Sequence, residues 1–169
     1  MNLVTRWSAV SSVLFCALLL TACGTTPAVR QVAPMPETAE IPARLSGHQA
    51  DDVTIYALGL VGTPYRYGGN TPEGGFDCSG LIGHVYQSRA SVAAPRTVSR
   101  LQFWGSVISE QQVRSGDLVL FAQRDGATHA GIYVGEGRFV HAPSTGGTVR
   151  LDNVNSAYWA KQRPTFRRP

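Results

Sequence analysis

Residues 129–141 read HAGIYVGEGRFVH, and this stretch decides how the second half of the chain folds. Short apolar runs on both sides of the GEG segment predict two strands joined by a tight turn. A two-residue loop would put His129 and His141 on opposite faces of this hairpin. A three-residue loop over 135–137, whose last glycine takes a positive φ, would place His141 opposite Gly131 and bring both histidines onto one face. A catalytic role for the pair therefore requires this second pairing, in which His141 lies opposite Gly131 and which we call the odd register.

The segments around the hairpin predict helices first and strands afterwards. Apolar periodicity predicts helices over 48–61, from Cys78 to about Arg89 and over 98–104. Short β-rich runs predict strands over 117–122, 129–134, 138–142, 148–154 and 161–167. Helices followed by neighbouring strands predict an α+β fold, with N-terminal helices packed on a largely antiparallel sheet of about five or six strands.

Cys78 is the candidate nucleophile of this domain. It lies where the glycine-rich stretch 62–77 passes into the second helix, and the small residue Ser79 after it leaves room for a substrate chain. A helix N-terminus beside an imidazole lowers the pKa of a thiol from about 8.5 toward neutrality. A buried structural cysteine is as common at such a position, and a single strand histidine is more often structural. The combination of Cys78 with His129 and His141 favours catalysis.

Composition excludes several classes of protein. The chain has 169 residues, of which 43% are hydrophobic and 15% charged, with 18 glycines and 10 prolines. This predicts one folded domain and excludes a disordered chain or a helical bundle. The net charge of +4 is not concentrated in a dense basic cluster, so no nucleic-acid partner is expected. The three cysteines, Cys16, Cys23 and Cys78, match neither a zinc ribbon nor a disulfide framework.

The N-terminal segment predicts export and lipid anchoring. Arg6 precedes an apolar run that is too short to cross a bilayer, as in a secretory signal. The ending Leu20-Thr21-Ala22-Cys23 resembles a bacterial lipobox, in which the cysteine is acylated after cleavage. Gly24 after it is similar to lipoproteins sorted to the outer membrane, which predicts the periplasmic face of that membrane. The predicted segments are a signal peptide over 1–22, an acylated proline-rich tether over 23–44 and a folded domain over 45–169.

Six short blocks occur in order within the predicted domain. They are GTPYRYGG (62–69), FDCSGL (76–81), PRT (95–97), GDLVLF (116–121), HAGIYVG (129–135) and FVHA (139–142). In order and spacing they resemble the NlpC-type cell-wall endopeptidases, which are cysteine peptidases of the papain-like superfamily. The resemblance implies a circularly permuted papain-like fold and hydrolysis of peptide bonds in peptidoglycan. The bond is either the D-alanyl to diaminopimelate cross-link, which a single-domain lipoprotein layout slightly favours, or the γ-D-glutamyl to diaminopimelate stem bond.

The resemblance also implies a role for each candidate residue. Cys78 is the nucleophile, His129 its base, His141 the group that orients His129, and Tyr65 with Ser79 the support of the oxyanion. Substrate carboxylates are candidate ligands of Arg66, Arg96 and Arg100, which lie near the blocks. No cofactor and no metal is implied. Activity is expected to fall at a pH low enough to protonate His141, because only a neutral ring can accept the proton of His129.

Three other functions remain open. Cys78, His129 and His141 are chemically suitable as a zinc trio with an open fourth position, although their spacing is not finger-like. A related wall amidase would cut between sugar and peptide, and a non-catalytic lipoprotein would only bind the wall. The expected partners are peptidoglycan and, through lipid on Cys23, a membrane; periplasmic regulators or proteases are unknown.

Overall fold

The computed structural model describes residues 44–123 and 126–169. The predicted signal peptide, the lipidation site Cys23 and the tether up to residue 43 lie outside the described residues, so these predictions stay predictions. The helices are α1 (Gly47–Gly59), α2 (Cys78–Ala90) and α3 (Val98–Leu101), with 3₁₀ turns at Glu110–Gln112 and Ala160–Gln162. Within the described residues, none of the helices is long and apolar enough to span a bilayer.

The strands of the described residues are β1 (Asn70–Thr71), β2 (Gly75–Phe76), β3 (Ser106–Ile108), β4 (Leu118–Gln123), β5 (Gly126–Gly135), β6 (Arg138–His141), β7 (Arg150–Asn153) and β8 (Pro164–Arg168). The last six of them form one antiparallel sheet in the order β3-β8-β4-β5-β6-β7. The α+β prediction is confirmed, and β4 to β8 are the five strands expected from the sequence. The short ribbon β1-β2 and the edge strand β3 were not predicted, and α3 ends three residues earlier than the predicted helix.

The two faces of the sheet build two separate apolar clusters, because strand side chains alternate. One face packs on α1 and α2 and contributes Leu118, Leu120, Ala130, Ile132 and Val140. The opposite face contributes Val119, Phe121, Tyr133, Phe139 and Phe166, which pack with Trp159. The first cluster fixes α2 against the sheet, and the second supplies the aromatic surroundings of the histidines.

The hairpin between β5 and β6 has the register that catalysis requires, but it reaches that register by another route. Its loop has two residues, Glu136 and Gly137, which take φ values of 53° and 70°. The predicted three-residue loop is therefore wrong. A bulge between Tyr133 and Gly135 supplies the extra residue instead, so Ile132 pairs with Val140. The same register brings His141 opposite Gly131, as the odd register demands.

The start of α2 is held by close backbone packing against the glycine-rich stretch. Asp77 caps the helix, and its Oδ1 accepts a hydrogen bond of 2.7 Å from the N–H of Gly80. Its other oxygen accepts one of 2.9 Å from the N–H of Gly68. A Cβ at Gly80 would lie 2.0 Å from the carbonyl oxygen of Gly69, so only glycine permits this approach. The first turn of α2 and the stretch 62–77 therefore form one packed unit.

Candidate active site

Cys78 is the first residue of α2 and is half-buried. It opens onto a cleft of about 510 Å³, whose lining includes Tyr65, Tyr67, Asp77, Ser79, Arg96 and Thr97. The N–H of Ala130, the residue after His129, hydrogen-bonds the Cys78 thiolate and lowers its pKa. The start of α2 therefore meets β5 next to the first histidine.

The pKa of Cys78 departs from expectation. Burial raises the pKa of this thiol, and the negative charge of Asp77 raises it further. The N–H groups of Ser79, Ala130 and Cys78 itself lower it, but they do not outweigh burial. The prediction of a thiol activated toward neutrality by the helix N-terminus is wrong for the free protein. Cys78 is a neutral thiol before substrate binds.

The two histidines are joined to an aspartate in one hydrogen-bonded chain. His129 Nε2 lies 2.8 Å from His141 Nδ1. On its other side, His141 Nε2 lies 3.0 Å from Oδ2 of Asp152 in β7. The ring planes of the histidines are nearly perpendicular, at 83°. The structure thus brings together the histidines that the odd register paired, and it leaves Nδ1 of His129 for another partner.

Aromatic rings enclose this chain. His129 stacks against Phe121 and Trp159, with ring centroids at 6.2 Å and 5.4 Å, and His141 is fully buried. Burial lowers the pKa of His129 to about 3, and positive charge on His141 or Arg150 acts in the same direction. Burial also lowers the pKa of His141 to about 4, although Asp152 opposes this shift. Both imidazoles are neutral at neutral pH.

Asp152 and Trp159 were missed by sequence reasoning. The indole N–H of Trp159 donates to Asp152 Oδ2 at 2.8 Å, and Arg150 Nη2 lies 2.9 Å from the same oxygen. Asp152 pairs with Phe139 across β6 and β7, which puts it diagonal to His141. One signal was available, since Asp152 is the only acidic residue in the predicted strand 148–154. The register of that strand against the hairpin was not predictable from the sequence.

Tyr65 lies on the cleft together with Cys78, as an oxyanion donor would. Its N–H donates to the carbonyl of Gly147 at 2.8 Å, which anchors the tyrosine between two loops. Burial raises the pKa of its hydroxyl, and the charge of a Cys78 thiolate raises it further. The hydroxyl is therefore protonated and able to donate. The oxyanion role stays a prediction, as does that of Ser79, whose hydroxyl donates at 2.7 Å to the carbonyl of Arg96.

Of the three candidate arginines, only Arg96 lines the cleft. Its Nη1 lies 2.7 Å from Asp77 Oδ1, and its Nη2 lies 3.0 Å from Oδ2. Nη2 also donates to the carbonyl of Gly69 at 3.1 Å. The guanidinium therefore ties the helix cap to the glycine-rich stretch. Arg66 and Arg100 are exposed, and their substrate contacts stay predictions.

The histidine rings face each other across a hydrogen bond, an arrangement unlike that of ligands converging on a metal ion. Across residues 44–123 and 126–169, no group of three or more His, Cys, Asp or Glu side chains is arranged to hold a metal. The other two histidines lie elsewhere. His48 faces Asp52 on the exposed surface of α1, and His84 contacts the hydroxyl of Tyr56 at 2.9 Å.

Curated relatives of this chain include a γ-DL-glutamyl hydrolase and two murein endopeptidases. It is 35% identical over 147 residues to a γ-DL-glutamyl hydrolase of Bacillus subtilis, covering 86% of this chain and 33% of that protein. It is 36% identical over 112 residues to the murein DD-endopeptidase MepH of Escherichia coli, covering 64% of this chain and 41% of that protein. The murein DD-endopeptidase/murein LD-carboxypeptidase MepS of Escherichia coli is 36% identical over 107 residues, covering 63% of this chain and 56% of that protein. The chain therefore spans between a third and just over half of the length of these relatives.

Solved structures share the fold. An NlpC/P60 family protein from Bacillus cereus superposes with a TM-score of 0.67 at 27% identity, covering 76% of this chain and 41% of that one. The NlpC/p60 domain of the peptidoglycan hydrolase SagA superposes with a TM-score of 0.60 at 31% identity, covering 69% of this chain and 95% of that one. The profile of the NlpC/P60 family matches residues 62–168, which include Cys78, both histidines and Asp152. This chain belongs to the NlpC/P60 family.

Proposed function

We propose that this protein is a peptidoglycan endopeptidase that cleaves peptide bonds through the thiol of Cys78. The observation that carries the proposal is the part-buried chain from His129 through His141 to Asp152. His129 is followed by Ala130, whose N–H hydrogen-bonds Cys78, and Cys78 opens onto a cleft. Cys–His pairs supported by a third polar group are the usual arrangement for acyl transfer by a thiol. The names of the relatives, murein endopeptidases and a γ-DL-glutamyl hydrolase, support a wall peptide as the substrate.

Proton transfer begins from a neutral pair. Because the pKa of Cys78 is raised and that of His129 is lowered, the thiol and the imidazole are both uncharged at rest. As the sulfur attacks the carbonyl carbon, its proton passes to Nδ1 of His129, the ring nitrogen that does not face His141. Charge separation therefore arises only with substrate in place, where the developing oxyanion and imidazolium offset each other.

The remaining steps return the site to its starting state. The tetrahedral oxyanion accepts hydrogen bonds from the Tyr65 hydroxyl and from N–H groups at the start of α2, including that of Ser79. His129 then gives its proton to the leaving amine as the C–N bond breaks, which leaves a thioester on Cys78. Water loses a proton to His129 and attacks the thioester, the C–S bond breaks, and the sulfur recovers the proton.

The bond that is cut determines the products. We favour the D-alanyl to diaminopimelate cross-link, and the names of the two Escherichia coli relatives support it. The name of the Bacillus subtilis relative supports the γ-D-glutamyl stem bond instead. The exposed Arg66 and Arg100, and the remaining exposed part of Arg96, are the candidate contacts for stem-peptide carboxylates.

Digestion of purified murein sacculi, followed by mass spectrometry of the muropeptides, tests the proposed function. Loss of dimeric muropeptides with accumulation of tetrapeptide monomers identifies cross-link cleavage, and new dipeptide products identify stem cleavage. Glycan strands without peptides would identify an amidase instead. Cys78→Ser is the control and should leave the sacculi intact. Digestion by this variant at the wild-type rate would refute the thiol mechanism.

Metal analysis of the purified protein tests the zinc alternative in the same preparation. Stoichiometric zinc together with a Cys78 that does not react with iodoacetamide would favour a metal site. A reactive thiol in metal-free protein supports the peptidase.

We further propose that the mature protein is anchored by lipid on Cys23 and faces the periplasm from the outer membrane. The lipobox-like sequence before Cys23 and the glycine after it support this location. Growth with labelled palmitate should label the wild-type protein and the control Cys16→Ser, whose altered residue lies in the predicted signal. Cys23→Ser should remain unlabelled. Label on Cys23→Ser, or fractionation of the labelled protein with the inner membrane, would contradict the anchor or its location.

A further inference from the structure

Three side chains contact one oxygen of Asp152. His141 Nε2, Trp159 Nε1 and Arg150 Nε lie 3.0, 2.8 and 3.1 Å from Oδ2. An indole N–H and a guanidinium can only donate, so Oδ2 acts as an acceptor toward both. A carboxylate oxygen in this position is therefore held by side chains from β6, β7 and the segment after β7.

The charge state of Asp152 follows from these contacts. Burial alone would raise the pKa of this carboxyl group, but the hydrogen bonds from Trp159 and His141 and the charge of Arg150 lower it overall. Asp152 is thus ionised at neutral pH. An ionised carboxylate has no proton to give, so Nε2 of His141 must carry the proton of their shared hydrogen bond.

The position of every proton along the chain is then fixed. Because His141 carries its proton on Nε2, its Nδ1 is a bare acceptor. His129 must therefore donate from Nε2 across the 2.8 Å contact. This leaves Nδ1 of His129 without a proton, which is the state that can accept one from Cys78. The opposite arrangement, with a proton on Nδ1 of each ring, would leave His129 unable to act as a base.

We propose that Asp152 is a positioning residue of the endopeptidase: its carboxylate sets the tautomers of both histidines, so that Nδ1 of His129 is free to accept the thiol proton. This inference rests on the proposed function. Asp152 acts through His141 and does not touch the reacting atoms. It extends the predicted set of Cys78, His129 and His141 by one member.

The carboxylate also supplies a countercharge at the moment of reaction. When His129 becomes an imidazolium, its charge lies beside the buried rings of Phe121, His141 and Trp159, where water screens it less than at the surface. The charged groups that bear on the ring pair are Asp152 and Arg150 of β7. The aromatic rings packed against His129 are those of Phe121, Trp159 and His141. Asp152 is therefore the carboxylate that, together with the developing oxyanion, offsets the charge on His129.

Two substitutions separate the hydrogen bond from the charge. Asp152→Asn can keep an oxygen toward His141, Trp159 and Arg150, because its amide nitrogen in that place would meet three donors. It keeps the tautomers and loses the charge. Asp152→Ala loses both. Glu136→Gln is the matched control, since it also changes a carboxylate beside an arginine, Arg138 at 2.6 Å, but on the exposed hairpin turn.

The experiment compares the full-length wild type with these three variants. Turnover of dimeric muropeptides is measured per folded molecule, and nitrogen-15 NMR of the histidine rings reports which nitrogen carries each proton. We expect kcat to fall about 10-fold in Asp152→Asn and about 100-fold in Asp152→Ala, with KM unchanged. Glu136→Gln should stay within about twofold. The wild type and Asp152→Asn should show both rings protonated on Nε2, and Asp152→Ala should show Nδ1-protonated rings.

The two readouts distinguish the failure of this proposal from failure of the proposed function. If Asp152→Ala keeps Nε2-protonated rings and the wild-type kcat, Asp152 only holds Trp159 and Arg150 in place and the proposal is overturned. If Asp152→Ala does not fold, an Asp152→Asn variant with wild-type kcat and Nδ1-protonated rings overturns it equally. If the wild type does not cleave muropeptides, the proposed function fails, while the NMR spectra still decide whether Asp152 sets the tautomers.

Discussion

The site has a cysteine half, formed by Cys78 and the start of α2, and a histidine half, formed by His129, His141 and β7. Each half contains a carboxylate paired with an arginine, but the two carboxylates accept hydrogen bonds from different kinds of donor. Asp77, paired with Arg96, accepts hydrogen bonds from the backbone N–H groups of Gly68 and Gly80 and so fixes where the chain runs. Asp152 accepts hydrogen bonds from side-chain rings and bears on where protons reside. The cysteine half therefore depends on backbone fit, and the histidine half depends on protonation.

The largest expected effect tests the histidine half through pH. The pKa values of His129 and His141 are lowered to about 3 and about 4 in the folded protein, while in the unfolded chain both rings take up protons below about pH 6.5. Stability is therefore complete above about pH 6.5 and is lost as pH falls. Each histidine should remove about 1.4 kcal/mol of unfolding free energy per pH unit, or about 4 kcal/mol for both between pH 6 and 4.5.

Urea unfolding at several pH values measures this slope. His129→Gln is the matched variant, because glutamine can still donate to His141 but does not titrate. Its slope should be smaller than that of the wild type by about 1.4 kcal/mol per pH unit, since the other histidines with lowered pKa values, His141 and His84, still titrate. Equal slopes in the two proteins would show that His129 is not buried in its neutral form.

The next effect tests backbone fit in the cysteine half. Gly80→Ala places a Cβ 2.0 Å from the carbonyl oxygen of Gly69, so the first turn of α2 must move away from the glycine-rich stretch. We expect a loss of about 3 kcal/mol in unfolding free energy, together with loss of turnover. Gly83→Ala, one turn later in the same helix, meets nothing within 4 Å and should stabilise the protein by up to about 1 kcal/mol. Similar effects of the two changes on thermal unfolding would refute the close packing.

The smallest effect tests the charge of Asp77. Its negative charge adds to burial in raising the pKa of Cys78. Asparagine can still accept the capping bond from Gly80 with its one oxygen, although it loses the bond from the N–H of Gly68. In Asp77→Asn the rate of alkylation by iodoacetamide should rise at a lower pH than in the wild type. Glu73→Gln, on the exposed part of the same stretch, serves as the control and should leave the profile unchanged. A profile shifted to higher pH in Asp77→Asn would reverse the assigned sign.

Local sequence patterns predicted most of the fold and part of the site. The helix that begins at Cys78 and the five strands β4 to β8 follow from periodicity and turn residues, since both act within a few residues. The register at His129 and His141 was correct although the loop was not. A bulge near Gly135 restored the odd register, and bulges leave no clear mark in a sequence.

What the sequence did not reveal depends on contacts between distant segments. Asp152 and Trp159 reach the histidines only through the pairing of β6 with β7, which a single sequence does not specify. The pKa of Cys78 was expected to be low because the helix start was considered without its surroundings. Burial against β5 and the charge of Asp77 act in the opposite direction and prevail. Electrostatic environments of this kind require the packed structure.

Trapping of the acyl-enzyme tests the central claim most directly. Rapid acid quenching of the wild-type protein during cleavage of dimeric muropeptides, followed by mass spectrometry of its peptides, should find the acyl half of the substrate on the peptide that contains Cys78. Cys78→Ala should carry no adduct and release no product. Product release by Cys78→Ala at the wild-type rate would contradict the account.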